Sequence, residues 1–206
     1  MLDRTSGQHG VFLGNRIMKD ISHYILEAGD RAVEEYMHIS GCRENEDAVP
    51  EVFLTCVMAL QLHKLLAVIV QIERDYKKLA EDLGYSLVPK NAEKLDRLRA
   101  DIAIYENGRP SAIIEIKKFA ESGRSSDLRN DLAKGDCINL KQQIDVYGAF
   151  LICETSQTMA QRRSLLRRKL RKPISFSKRH NSSAGGWTWC FGCARWGVRK
   201  PPMLHP

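Results

Sequence analysis

The chain is predicted to adopt an α/β fold in two or three layers, with α+β as the neighbouring reading. Three features lead there. Helix-period runs are interspersed with β-branched runs, two alternating runs flank an Asn-Gly pair, and Val146 to Cys153 is the nearly continuous apolar stretch of a strand buried on both faces. The order reads helix, helix, strand, strand, strand, helix, strand, helix.

From Ile17 to Met37 apolar residues recur at Ile17, Ile21, Tyr24, Ile25, Ala28 and Val33. This helical stripe is interrupted near Gly29 and reads as one bent helix or two short ones. Gly41 to Asp47 is polar and reads as a loop. Pro50 suits the first turn of the next helix, with Glu51 near its positive end, and that helix should run to about Lys64. Val68, Ile69, Val70 and Ile72 then cluster as in a strand. Tyr76 to Val88 begins with helical character, and one helix from Pro50 through Leu83 is the competing reading. Leu98 to Tyr105 and Ser111 to Phe119 are the arms of a hairpin. Asp127 to Leu140 reads as a helix weakened by Gly135, and Gln157 to Leu170 as a basic amphipathic helix ending before Pro173. These limits divide the chain into an N-terminal helical segment, 1–45, a core, 46–172, and a tail, 173–206.

With 206 residues, 43% hydrophobic and 28% charged, the composition is that of a globular protein, neither disordered nor collagenous. The longest apolar run, Leu65 to Val70, is far below the ~20 residues of a membrane helix. No apolar segment follows a basic start at the N-terminus, so no secretory signal is expected and a cytoplasmic location follows by default. Cys56 and Cys153 fall in apolar runs and read as small buried hydrophobes. The net charge of +7 is unevenly spread: all 25 acidic residues lie at or before Glu154, whereas 12 of the 32 basic residues lie after it. The first 154 residues therefore carry a net −5 and the last 52 carry +12. A basic segment without acidic relief attracts polyanions, which makes nucleic acid the natural partner, with an anionic membrane or plain solubility as the blander readings.

The hairpin holds the candidate site. Its apolar face is supplied by Ile102, Ile104, Ile114 and Ile116, so Asp101, Glu115 and Lys117 share the other face. For that to hold, opposed residue numbers must sum to an even value. This demands an odd-numbered connection, such as a three-residue turn with a bulge or a five-residue loop; a bare two-residue Asn107–Gly108 turn would set Asp101 and Glu115 on opposite faces. Pro110, lacking an N–H, fits a loop more easily than a ladder. Two opposed carboxylates repel and call for a cation between them. Lys117 balances one charge. A divalent metal balances both, suits all-oxygen ligation, and could orient a phosphodiester while a lysine on the same face orients the attacking water.

Arg99-Ala100-Asp101 on one strand, followed by Glu115-Ile116-Lys117 on the next, resembles the core signature of the PD-(D/E)XK nuclease superfamily. That resemblance implies a restriction-endonuclease-like core with a central mixed sheet of about four strands flanked by helices. It further implies a magnesium-dependent nuclease, with Mn2+ as the alternative ion, acting on DNA phosphodiesters and compatible with a homodimer. Residue by residue it makes Asp101 and Glu115 metal ligands, adds the carbonyl of Ile116, and places Lys117 at the attacking water. An acid from a preceding helix often completes the set, and Glu51 is the best-placed candidate, with Glu73 second. Ala100 stands where the eponymous proline would be. The resemblance covers the element order from Pro50 to Leu170, but single residues only from Arg99 to Lys118. Gln143 and Tyr147 share a spacing with one exonuclease branch of the superfamily, although Tyr147 falls at the start of a strand. Nucleic acid would be held by Arg99, Lys118, Arg162, Arg163, Arg167 and Arg168.

Each reading has a plainer rival. The hairpin face could be a solvated surface with a cross-strand Glu–Lys pair, although Asp is disfavoured inside strands without a local reason. Glu51 could simply complement the helix dipole, and Glu73 with Arg74 could be a surface ion pair. The same fold with an incomplete site would serve as a nucleic-acid-binding or protein-interaction module. The tail holds Trp187, Trp189, Trp196 and Cys190-Phe-Gly-Cys193. It lacks acids and periodicity and reads as disordered. Its aromatics could instead stack on single-stranded bases, or its cysteines, with His180 or His205, could form a small zinc adaptor.

Overall fold

Seven short runs with strand character meet in one mixed sheet in the computed structural model, which describes residues 20–40, 49–85, 97–119, 144–155, 158–178, 180–181 and 187–197. The expected loop at 41–47 and helix at 127–140 lie outside the described residues. The elements are α1 (Ser22–Ser40), α2 (Glu51–Leu66), β1 (Ile69–Asp75), α3 (Tyr76–Asp82), β2 (Arg99–Glu106), β3 (Arg109–Lys118), β4 (Asp145–Thr155), α4 (Met159–Leu170), β5 (Ser175–Phe176), β6 (His180–Asn181) and β7 (Trp187–Gly197). The sheet runs β1-β2-β3-β4-β7-β5, with β6 also on β7. β3 and β4 are parallel and every other pair is antiparallel.

The α/β class stands, but two expectations are corrected. The sheet has six strand positions, not about four, because β7 and the two short strands on its far edge extend it. These extra strands come from the 173–206 tail, which corrects the expectation that it is disordered. β7 alternates between two cores: Trp189, Phe191 and Cys193 pack under α1, while Cys190 and Ala194 pack under α4. A strand buried on both faces has no polar alternation, so periodicity could not reveal it.

Helices cover both faces of the sheet. α1 and α2 lie over Ile102, Ile104, Ile114, Ile116, Tyr147, Ala149 and Leu151. On the opposite face, α3 covers Ala103, Tyr105, Ile113 and Val146, and α4 covers Phe119, Phe150 and Ile152. Ser22 to Ser40 is one unbroken helix. Gly29 lies within it because a Cβ there would stand 2.6 Å from Cγ of the buried Phe191 ring. α2 begins after Pro50, which is its N-cap and not part of its first turn. It ends where Ala67 turns left-handed and the His63 ring bonds the Val68 carbonyl at 2.6 Å. That break excludes a helix continuous to Leu83.

The hairpin resolves its parity conflict in an unexpected way. Asn107 and Gly108, with φ of 51° and 77°, form a two-residue turn that pairs Glu106 with Arg109. Positive φ at both central residues matches a type I′ turn. The register then shifts between Ile104 and Tyr105, so Tyr105 faces Pro110 while Ile104 faces Ala112. Ser111 is the extra residue of this β-bulge, and its hydroxyl donates to the Ile104 carbonyl at 3.2 Å. Energetics explain the choice. Burying four isoleucines contributes roughly 1.5–3 kcal/mol each, whereas a bulge forfeits about one ladder hydrogen bond, near 1 kcal/mol. Pro110 is tolerated inside β3 because the bulge interrupts the ladder there.

α3 is fastened to the sheet by Asp82, which accepts from Arg74 and from the Tyr105 hydroxyl, each at 2.7 Å. Burial alone would raise the Asp82 carboxyl, but these bonds outweigh it and hold the group below the ordinary carboxylate range. A depressed carboxylate stabilises the fold above its unfolded pKa of about 3.9, and that contribution is lost as pH falls through the lower folded value. Asp82→Asn is therefore expected to cost about 1–2 kcal/mol at pH 7, with the difference from the parent closing in urea melts as pH falls below the ordinary carboxylate range. Gly29→Ala should lower stability by about 1–3 kcal/mol despite alanine's better helix propensity, because the Phe191 ring must move. Equal or higher stability would contradict the close approach.

Candidate active site

The site forms where two strands part. The β2–β3 ladder ends at Ile102 opposite Ile114, yet β2 continues beside β1 to Arg99 and β3 continues beside β4 to Lys118. A wedge therefore opens between β2 and β3 at the level of Asp101 and Glu115. That register, carried one residue further, would oppose positions 101 and 115 across the mouth of the wedge. Glu73, opposite Asp101 in the register of β1, has a φ of 51°. A left-handed non-glycine residue costs on the order of 1–2 kcal/mol and marks a local distortion of β1 beside the wedge.

Carboxylates occupy the β3 edge that β2 has left. Asp101 Oδ2 accepts the Ile116 N–H at 2.6 Å, in place of a ladder carbonyl. The next N–H on that edge, from Lys118, donates to Glu51 Oε1 at 3.2 Å. Glu51 Oε2 lies 3.7 Å from Lys117 Nζ, so the first residue of α2 reaches around the edge to the lysine. In an extended strand a residue's N–H and C=O point to the same side, so the Ile116 carbonyl faces the wedge as well.

Glu115 points into the layer beneath α3. It is 1% exposed, and its Oε1 accepts from the hydroxyl of the buried Tyr76 at 2.7 Å. Burying a carboxylate costs several kcal/mol unless donors or cations compensate, and Tyr76 supplies one donor. Sequence reading missed Tyr76. It lies 39 residues from Glu115, and its only local mark is its position at the start of a helix directly after β1.

The structure therefore brings Asp101, Glu115, Ile116, Lys117, Lys118 and Glu51 to one end of β3. Glu73 is exposed, and its neighbour Arg74 pairs with Asp82 instead of forming the anticipated Glu73–Arg74 pair. Arg99 lies near the wedge and binds Asp75 at 3.3 Å. Arg163 and Arg167 sit over the Phe176 ring, at 5.0 and 4.9 Å, on the far edge of the sheet, whereas Arg168 is exposed on the crest of α4. Tyr147 packs under α1, on the face away from Glu115; Gln143 lies outside the described residues. Among the described residues, no group of three or more His, Cys, Asp and Glu stands close enough to hold a metal ion.

The zinc alternative fails on geometry. Cys190 and Cys193 are three residues apart on a strand and face opposite cores, so they cannot share an ion. Burial also pushes the Cys193 thiol up to about 12, in keeping with a small buried hydrophobe. His180 is committed elsewhere. Its Nε2 stands 3.0 Å from Asp30 of α1, and its ring stacks on Trp189.

Tyr76→Phe is expected to lower stability by about 1–3 kcal/mol, because it removes a donor from a buried carboxylate. A chemical-denaturation midpoint equal to that of the parent would show that the bond does not support Glu115. No family model, curated protein or solved structure matches this chain, so the chemistry of the site is read from its geometry.

Proposed function

We propose that this protein is a metal-dependent nuclease that hydrolyses DNA phosphodiester bonds at the β2–β3 wedge, on a restriction-endonuclease-like core. The observation that carries the reading is the convergence of Asp101, Glu51 and Lys117 on the edge of β3 vacated by β2, with Glu115 beside them. The element order supports it: a helix leads into an antiparallel β1-β2-β3 meander, and β4 lies parallel to β3. Fold likeness alone would not assign chemistry, so the weight rests on the site.

The donor set suits a hard cation. Asp101, Glu115 and the Ile116 carbonyl offer oxygen only, and magnesium is characteristically held by one or two carboxylates while keeping several waters. A set of two carboxylates and a carbonyl fits that habit, and manganese accepts the same oxygens. Such an ion, when bound, supplies charge stabilisation at the phosphate and a more acidic water.

The remaining work falls to the chain. Lys117 lies on the strand face that carries Glu115 and can orient the attacking water or steady a phosphate oxygen. Glu51 holds the Lys117 ammonium near the wedge and fastens the Lys118 amide, which fixes the end of β3. Tyr76 fixes the Glu115 carboxylate from below.

A second reading is favoured by a specific observation. Lys117 is engaged by Glu51, and the described residues hold no three-ligand cluster, as expected of an inactive nuclease-like fold that binds nucleic acid without cutting it.

Linear, circular and single-stranded DNA incubated with magnesium separate the two readings. The nuclease reading expects cleavage that EDTA stops, and a loss of about 10²-fold or more in Lys117→Ala, with Asp101→Ala and Glu115→Ala at least as severe. Glu51→Gln should lose less. Cleavage that persists in both Lys117→Ala and Glu115→Ala would remove these roles, and binding without cleavage by the parent protein would favour the module.

A further inference from the structure

The surplus positive charge lies after Glu154, and α4 presents much of it on two flanks that do different work. On one flank, Arg163 donates to Cys190 Sγ at 3.3 Å and to the Ser177 carbonyl at 3.0 Å, and it shares the Phe176 ring with Arg167. Those two arginines secure the β5 edge. On the other flank, Lys169 Nζ lies 5.4 Å from the centre of the Phe119 ring, and beyond the helix end Lys172 Nζ lies 5.4 Å from that of Trp196. Phe119 follows β3 directly and alternates onto the strand face of Lys117 and Glu115, two residues beyond the lysine. Lys169 therefore stands beside the wedge end of β3. Arg168 is exposed on the crest between the flanks.

We propose that Arg168, Lys169 and Lys172 form a phosphate track that leads a nucleic-acid strand to Lys117 and reads its backbone without reading its bases. The inference rests on the nuclease reading only in taking that site as the end of the track. Two observations support backbone recognition. Rings beneath Lys169 and Lys172 hold those two cations in place, and Phe119, at 3% exposure, is too buried to offer a base a stacking surface. Trp189 and Phe191 are buried as well, so these two tail aromatics are core and not base platforms, and the partly buried Trp196 lies under Lys172. Contacts to phosphates position a strand without carrying sequence information, and their strength falls steeply with salt.

Fluorescence anisotropy of labelled duplexes of two unrelated sequences, in EDTA and across a KCl series, tests this with the full chain. The parent should bind both sequences within about threefold, with a linear dependence of log Kd on log salt. The R168Q/K169Q/K172Q variant should lose roughly 2–3 of that slope and at least about tenfold in affinity at low salt. The single variant Arg168→Gln, at an exposed position, should lose roughly 0.9 and guards against misfolding of the triple variant. The charge-matched control R31Q/K64Q/R109Q, drawn from α1, α2 and the hairpin turn, should keep the parental slope.

An equal loss in the control, a preference of more than about tenfold between sequences, or displacement of DNA by phosphatidylserine vesicles at equal charge would each overturn the track. The two readings fail separately. Salt-dependent binding lost in the triple variant, without cleavage by the parent in magnesium, leaves the track standing and removes the nuclease. Cleavage that needs Asp101 but proceeds unchanged in the triple variant does the reverse.

Discussion

Burial of Ile102, Ile104, Ile114 and Ile116 against α1 and α2 is the constraint from which the site follows. The tight Asn107–Gly108 turn by itself delivers the wrong register, which would send Glu115 and Lys117 into that apolar layer. The bulge at Ser111 corrects the parity, and the hydroxyl of the inserted residue occupies the carbonyl that the distortion would leave under-bonded. Once the isoleucines are placed, Asp101, Glu115 and Lys117 have only the other face. That face is itself buried beneath α3, so a carboxylate at position 115 can be accommodated only with donors close by, and Tyr76 arrives with α3. The placement of α3 rests in turn on the Arg74–Asp82–Tyr105 cluster that ties it to β1 and β2. The chemical face is thus a consequence of hydrophobic burial on the opposite side of the sheet.

The other half of the sheet obeys the same logic. β4 is apolar on both faces and needs a neighbour at each edge; with β3 alone it would present an apolar strand for aggregation. β7 covers it, and the short β5 and β6 then cover part of the far edge of β7. The cover is stitched down from both layers, by Asp30 of α1 through Ser177 and His180, and by Arg163 and Arg167 of α4 through Phe176. The run from Trp187 to Trp196 has the same nearly continuous apolar character as Val146 to Cys153. Set among unrelieved basic residues, the run reads as disordered. Charge context masks the better signal, although Lys172, just past α4, lies over the run's own Trp196 ring.

What was legible at the site reflects which interactions are local. Parity along two adjacent strands is a short-range property: it puts Asp101, Glu115 and Lys117 on one face and asks for a bulge or an odd loop, but a two-residue turn with the bulge inside β3 is not legible, since a bulge there looks like ordinary strand sequence. The wedge was not legible, because where a ladder stops depends on how neighbouring strands and helices diverge. Tyr76 and Glu51 act across 39 and 67 residues, and no spacing rule spans such distances. Glu51 was found only because a first-turn acid after proline is a local signal of another kind.

That acid also settles how the charges divide. Its two oxygens engage the Lys118 amide and the Lys117 ammonium, so its negative charge is offset within the site and it fastens α2 to the end of β3. To ligate an ion as well, it would have to release one of these partners, at a cost in the positioning of Lys117. On the proposed reading, Glu51 is therefore better suited to holding the lysine than to holding the metal.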